Sequence, residues 1–153
     1  MTRLHRFLLE NQCYHVVTTT RDRRPVFSER NCASVVVEAV QFVRRERAYV
    51  LAYVVMPDHL HAMVVPRDGA SVSQVMQSIK GYTARRINAE LGQRGSLWQR
   101  SFYDRMIRDE EQLLDTVNYV HMNPVVGGLA QDPQGYPYSS AGRDDHVDLA
   151  LFV

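Results

Sequence analysis

Tyr53-Val-Val-Met-Pro-Asp-His-Leu-His-Ala-Met-Val-Val65 places two imidazoles one residue apart in an apolar, β-branched run. Such a run reads as strand. With a side-chain period of two, His59 and His61 share one face while Leu60, Ala62 and Val64 share the other. The apolar set belongs against a core, so the two histidines stand together on the opposite face, their Cα atoms roughly 6–7 Å apart. Two rings at that spacing can share one metal ion. They can equally well pack or hydrogen-bond, and this stretch alone does not decide between the two.

Working outward, residues 48–56 form the strand that leads in, and Pro57-Asp58 makes a bend too short for anything but antiparallel pairing. Upstream, residues 12–19 (Gln-Cys-Tyr-His-Val-Val-Thr-Thr) are β-branched and aromatic and read as the first strand. The polar turn Arg21-Asp-Arg-Arg-Pro25 follows. Ser28 is a plausible N-cap for a helix to about Arg47, with Cys32, Val35, Val36, Ala39, Phe42 and Val43 at helical spacing. Downstream, Ser71 can cap a second helix whose Val72, Val75, Met76, Ile79, Thr83 and Ile87 make one apolar stripe. Gly92 and Gly95 loosen the chain before a fourth strand expected over residues 97–107. Within it Trp98, Arg100, Phe102, Tyr103 and Arg105 mix rings with cations, a pattern that suits stacked bases and phosphates but also an ordinary half-buried strand.

Asp109 is a good N-cap for a third helix, with Glu110 and Glu111 favourably placed in its first turn. The helix is expected to reach about Met122, where Pro124 ends it. Leu113, Leu114, Val117 and Val120 form its core face. Tyr119 and Asn123 lie one turn apart on a flank of that face, which Gln112 and Thr116 share.

The chain has 153 residues, 45% hydrophobic and 23% charged, which fits one soluble domain. It has no stretch of membrane-spanning length and no apolar leader, so a cytoplasmic location is expected. Cys13 and Cys32 show no metal or redox spacing and read as buried thiols. The net charge of +1 hides a segregation, because residues 1–108 hold 17 basic and 9 acidic side chains while residues 109–153 hold 1 and 8. All the basic residues but Lys80 are arginine, whose planar fork grips phosphate. A polyanion bound on one side of the molecule is compatible with this balance, as is a simple compositional bias.

The runs Met-Pro-Asp-His-Leu-His-Ala at 56–62, Leu-Trp-Gln-Arg at 97–100, Asn-Tyr-Val-His-Met-Asn-Pro-Val at 118–125 and Tyr-Pro-Tyr-Ser-Ser at 136–140 occur in that order. Together they resemble the single-tyrosine HUH transposases of IS200-like insertion sequences, and most of all the REP-associated branch. The resemblance implies an α+β, ferredoxin-like domain over residues 1–141, with a central antiparallel sheet and helices mainly on one face. Residues 142–153 are then an acidic and apolar tail, free to dock on the body or to cover a basic groove. It also implies the roles of the site residues, with Tyr119 as nucleophile and His59, His61 and Asn123 as ligands of a divalent metal, Mg²⁺ or Mn²⁺. Asparagine at 123 matches the REP-associated branch, whereas many insertion-sequence members carry glutamine. His121, two residues from Tyr119, points elsewhere and reads as packing or support.

The implied activity is hairpin-directed cleavage and rejoining of single-stranded DNA through a covalent 5′-phosphotyrosine. A phenol attacks phosphorus, a DNA 3′-hydroxyl leaves, and another 3′-hydroxyl can later resolve the adduct. The sequence does not name the base that takes the phenol's proton; a metal-bound water or the ion itself are candidates, and Asp58 is a weaker one. Expected DNA contacts are Arg85, Arg86, Trp98, Arg100, Arg105 and Arg108. The expected partner is a REP-like or insertion-sequence hairpin, with no membrane, and the protein is expected as monomer or homodimer. The chain departs from the family at Val126-Gly127-Gly128, where a basic residue is expected. A domesticated hairpin-binding protein without turnover, and an unrelated His-x-His metalloprotein, are the competing readings.

Overall fold

The computed structural model describes residues 12–153; the first eleven residues of the expected domain lie outside them. Seven regular elements follow one another as β1 (Cys13–Thr19), α1 (Arg30–Glu46), β2 (Ala48–Met56), β3 (His59–Pro66), α2 (Val72–Leu91), β4 (Tyr103–Ile107) and α3 (Glu110–Val126). The strands form one antiparallel sheet in the order β2-β3-β1-β4, the split arrangement of a ferredoxin-like fold. No described helix is long and apolar enough to cross a membrane.

Alternation along the strands divides the interior in two. Val16, Val50, Tyr53, Val55, Leu60, Ala62 and Val64 face α1 and α2 and form the larger core with Val36, Val40, Val75, Ile79 and Ile87. The other face carries Cys13, Val54, Met63 and Val65 under Leu113, Val117 and Val120 of α3. Of the three described α-helices two therefore share one face, while α3 lies on the face to which His59 and His61 belong. Cys13 and Cys32 are buried free thiols.

β2 and β3 join through the two-residue turn Pro57-Asp58, with Met56 paired to His59. That turn is tied to its surroundings by Thr20 N–H donating to Asp58 O at 2.9 Å and by Phe27 N–H donating to Pro57 O at 2.9 Å. A bulge between Val50 and Ala52 shifts the register, and Leu51 and Ala52 both join the α3-side core.

Several boundaries differ from expectation. α1 starts at Arg30, because a 3-10 turn over Val26–Ser28 intervenes and Ser28 is part of that turn. β4 begins only at Tyr103; the segment before it is irregular, touching the sheet at a single bridge between Thr20 and Trp98. Pro124 does not end α3. It sits in the last turn, where its missing N–H costs one helical bond, and the helix runs on to Val126 with Gly127 N–H donating to Asn123 O. Phe42 and Leu114 are exposed rather than core, and Val40 and Thr116 take the buried positions. Ser71 does cap α2, in a reciprocal capping box with Gln74.

The C-terminal segment runs along the free edge of β2. Val55 N–H donates to Tyr138 O, Ser140 N–H to Tyr53 O, and Asp148 N–H to Val50 O. The Asp148 carboxylate accepts from Val50 N–H at 3.0 Å and pairs with Arg44 of α1 at 3.1 Å, while Arg44 also donates to the carbonyls of Asp145 and Val147. Phe152 is buried in the α3-side core. The tail thus docks on the body, where it covers an edge that would otherwise expose unpaired backbone groups. Because one carboxylate closes both the strand edge and the Arg44 pair, Asp148→Ala is expected to lower the unfolding free energy by about 1–3 kcal/mol, read as a lower urea midpoint with an unchanged m-value.

Candidate functional site

His61 is 5% exposed at the centre of the sheet, where an imidazole needs partners for both ring nitrogens. It has them. His61 Nδ1 lies 2.9 Å from Nε2 of His15, and His61 Nε2 lies 3.5 Å from Asn123 Nδ2. His15 sits on β1, diagonal to His61 because Val17 is the residue paired with His61, and the two rings stack at 5.2 Å.

His59, at the strand end, is less buried. Its Nδ1 is 2.6 Å from Asp58 Oδ1, and its ring meets that of His61 edge-on at 4.9 Å. The two histidines thus occupy one face, close together, as alternation requires.

α3 brings the remaining pieces. Leu113, Val117 and Val120 anchor it on the sheet, which turns the flank bearing Gln112, Thr116, Tyr119 and Asn123 toward β3 and β1. The Tyr119 ring is 5.7 Å from that of His61 and 6.1 Å from that of His15, edge-on to both. Tyr119 is also 56% exposed, so its hydroxyl is open to a large ligand. His59, His61, Tyr119 and Asn123 therefore converge within one chain.

Beside them lies a cleft of about 550 Å³ lined by His15, His61, Tyr103, Arg105, Asp115 and Tyr119 among others. Arg105 of β4 is paired with His15 across the strands.

Burial sets the protonation of these rings. His61 is held well below the ordinary histidine range, at about 3, by burial first and then by the proximity of His59 and His15. His15 is shifted downward by burial and by the Arg105 guanidinium. Both are neutral imidazoles near neutral pH, the form that binds a metal. With Nδ1 of His59 against Asp58 and Nδ1 of His61 against His15, Nε2 is the nitrogen of each ring left to meet an ion, at His61 beside the Asn123 amide. Among the described residues no group of three or more His, Cys, Asp or Glu is arranged to hold an ion, so an ion beside His59 and His61 would need a further donor of another residue type. The Asn123 amide is placed to be that donor, since a half-turn about Cβ–Cγ exchanges its nitrogen for its oxygen. Two imidazoles and an amide oxygen suit a divalent ion, with Mn²⁺ tolerating nitrogen better than Mg²⁺.

The other expected contacts separate. Trp98 turns inward: it is 4% exposed, its Nε1–H donates to Thr83 Oγ1 at 2.9 Å, its ring packs on Phe27, and what is left of it lines the groove that Arg100 borders. Arg85 and Arg86 lie on α2, across the sheet from the tyrosine, and Arg86 rests on Tyr82 and faces Glu38. Arg100 borders a separate groove of about 560 Å³ with Lys80 and Phe102, on the α2 side of the sheet. Arg108 is exposed just before α3.

Asp58 is engaged by His59 and faces Arg23 at 3.5 Å, so its carboxylate orients a ring. His121 lies 2.8 Å from Ser140 Oγ, a packing role as expected. His15 is the residue that sequence reasoning missed. The available signal was its position two residues after Cys13 and two before Val17, on the parity opposite the core residues Tyr14 and Val16.

Residues 9–123 match the family model described as transposase, IS200 like. A Haemophilus influenzae protein named as a REP-associated tyrosine transposase is 28% identical over 109 residues, 65% of this chain and 62% of that protein. The REP-associated tyrosine transposase of Escherichia coli K12 is 27% identical over 108 residues, 69% of this chain and 62% of that protein. The matches thus span about three fifths of the length of these curated relatives. Among solved structures, a REP-associated tyrosine transposase bound to a REP hairpin superposes with a TM-score of 0.72 at 24% identity, covering 88% of this chain and 79% of that one. A transposase structure from Deinococcus radiodurans gives 0.55 at 20% identity, covering 72% and 88%. These two likenesses establish the fold.

The depressed His61 makes stability depend on pH with a definite sign. An unfolded histidine takes up its proton near the ordinary value of 6.5, the folded one only near 3, so between those limits the unfolded chain binds more protons. This group's contribution is complete above about pH 6.5 and is lost as the pH falls toward about 3, at up to about 1.4 kcal/mol per pH unit. Urea unfolding in metal-free buffer between about pH 7 and pH 4 is expected to show that decline, and His61→Gln to make it shallower by up to one proton's slope. An equal slope in the variant would contradict a buried neutral ring.

Proposed function

The chain belongs to the IS200-like transposase family, and from that membership we propose that it is a hairpin-directed, single-stranded DNA endonuclease and strand transferase of the HUH type. The observation that carries this reading is the convergence of the Tyr119 ring on the His61 ring at 5.7 Å in the same chain, beside a cleft that Arg105 lines. The domain is proposed to extend over residues 1–141, and the likeness to a relative solved with a REP hairpin supports a folded DNA hairpin as partner.

In the proposed reaction the Tyr119 Oη attacks the scissile phosphorus. An O–P bond to tyrosine forms, the P–O3′ bond breaks, and the departing oxygen is protonated to a 3′-hydroxyl. The strand stays attached as a 5′-phosphotyrosine until a second 3′-hydroxyl reverses the exchange. A divalent ion held by His59, His61 and Asn123 would, when bound, offset charge on the phosphate as its geometry changes. Arg105 lines the same cleft and offers a guanidinium to a neighbouring phosphate. The exposed hydroxyl of Tyr119 and the openness of the face above β1 support a flexible single strand as the attacked substrate.

Two outcomes are expected with a radiolabelled single-stranded hairpin and Mn²⁺. Tyr119→Phe loses the covalent adduct seen on a denaturing gel, while hairpin affinity stays within about threefold because phosphate contacts elsewhere carry it. Binding by the wild type with no adduct under Mn²⁺ or Mg²⁺ would point instead to a domesticated hairpin-binding protein. Since Tyr119 faces the histidines of its own chain, mixing Tyr119→Phe with His59→Ala protein is expected to restore no adduct; restoration would mean that the tyrosine serves a partner chain.

A further inference from the structure

We infer that His15 is a positioning residue for His61, its Nε2 accepting a hydrogen bond from His61 Nδ1–H and thereby presenting His61 Nε2 as a lone-pair donor to the site. The inference rests on the proposed role of His61 as an ion ligand and names a residue outside the ligand set.

The geometry of the buried pair carries this assignment. His61 Nδ1 and His15 Nε2 are 2.9 Å apart in a buried, stacked pair, so one of the two nitrogens must carry the proton. On its other side His61 Nε2 faces the Asn123 amide at 3.5 Å, whose nitrogen and oxygen exchange by a half-turn, so that contact accommodates either tautomer and only Nε2 is directed toward the site. For Nε2 to offer a lone pair there, the proton of a neutral His61 is on Nδ1 and His15 accepts it. An exchange of tautomers would put the proton on Nε2 and remove the free donor from the site.

The comparison with His59 explains why the partner is an imidazole. His59 lies near the surface, and a carboxylate, Asp58 Oδ1, holds its Nδ1 at 2.6 Å. The same carboxylate beside His61 would be a charge in the middle of a sheet, far from water, and such a charge is costly unless paired. A neutral histidine accepts the same hydrogen bond without that cost. Both ligand rings thus reach one outcome, Nδ1 held and Nε2 delivered, through partners matched to their depth. Partners of this kind fix the orientation and basicity of ligating histidines.

The test uses the full chain, with Mn²⁺ alone as probe, titrated by the loss of the free-ion electron paramagnetic resonance signal. His15→Phe keeps the ring volume but removes the acceptor, and is expected to weaken Mn²⁺ binding about 10–100-fold. His15→Gln sets an amide oxygen close to where Nε2 stood and is expected to recover binding to within about threefold of wild type. A merely structural role predicts no such rescue, so equal losses in the two variants overturn the proposal, as does wild-type binding by His15→Phe.

If His15→Phe does not fold, ¹⁵N spectroscopy of the histidine rings in the wild type decides, with the Nδ1–H tautomer of His61 expected and the Nε2–H tautomer overturning the proposal. A wild type that binds no Mn²⁺, or binds it as well after His59→Ala, removes the ligand reading itself. That result differs from failure of His15 alone, in which wild type and His15→Phe bind equally and His59→Ala does not.

Discussion

A histidine buried at the centre of a sheet is tolerable only when it is neutral and both ring nitrogens have partners, and His61 imposes that requirement on everything around it. β1 must run beside β3 in the register that brings His15 diagonal to His61, and α3 must cross the same face at the height that brings Asn123 to the other nitrogen. Once α3 is so placed, Tyr119, one turn earlier, has to stand beside the same ring. The packing demand of one buried imidazole and the geometry of the site are therefore the same constraint.

The division of the helices follows from this. α1 and α2 bury the larger core against Leu60, Ala62 and Val64, which gives β3 a rigid apolar back. Among the described residues α3 is the one helix on the histidine face, and it does not extend over the side toward β4, where Tyr103 and Arg105 border the cleft. The C-terminal segment stays on the far edge, β2, held by Asp148 and Arg44, so its acidic residues do not blanket the cleft.

The segregation of charge along the chain reads differently in three dimensions. Much of the acidic excess belongs to the start of α3, where it meets the helix N-terminus, and to the tail, where Asp148 meets Arg44. The arginines spread over both faces of the sheet, Arg105 beside the cleft and Arg86 on the outer side of α2 against Glu38. A polyanion that entered the cleft would meet Arg105 first, whereas Arg85, Arg86 and Arg100 could be reached only by a ligand extending around the sheet edge.

Much of the fold was legible in the sequence, for a local reason. Alternation over Tyr53 to Val65 assigns the two faces of β3 without reference to any other element, a 3.6-residue stripe identifies α2, and Ser71 and Asp109 cap where their side chains predict. The pairing of His59 with His61, and of Tyr119 with Asn123, was legible for the same reason, since residues on one strand face or one helix flank are neighbours by backbone geometry.

What tertiary structure alone decided were the contacts between elements. His15 meets His61 because of a strand register, 46 residues apart in sequence. Trp98 turns inward because Thr83 and Phe27 complete its site, although Gln99, Arg100 and Ser101 follow it in sequence. Local patterns follow from a chain's own stereochemistry, whereas register and docking depend on which distant surfaces fill one another, and no single stretch of sequence carries that information.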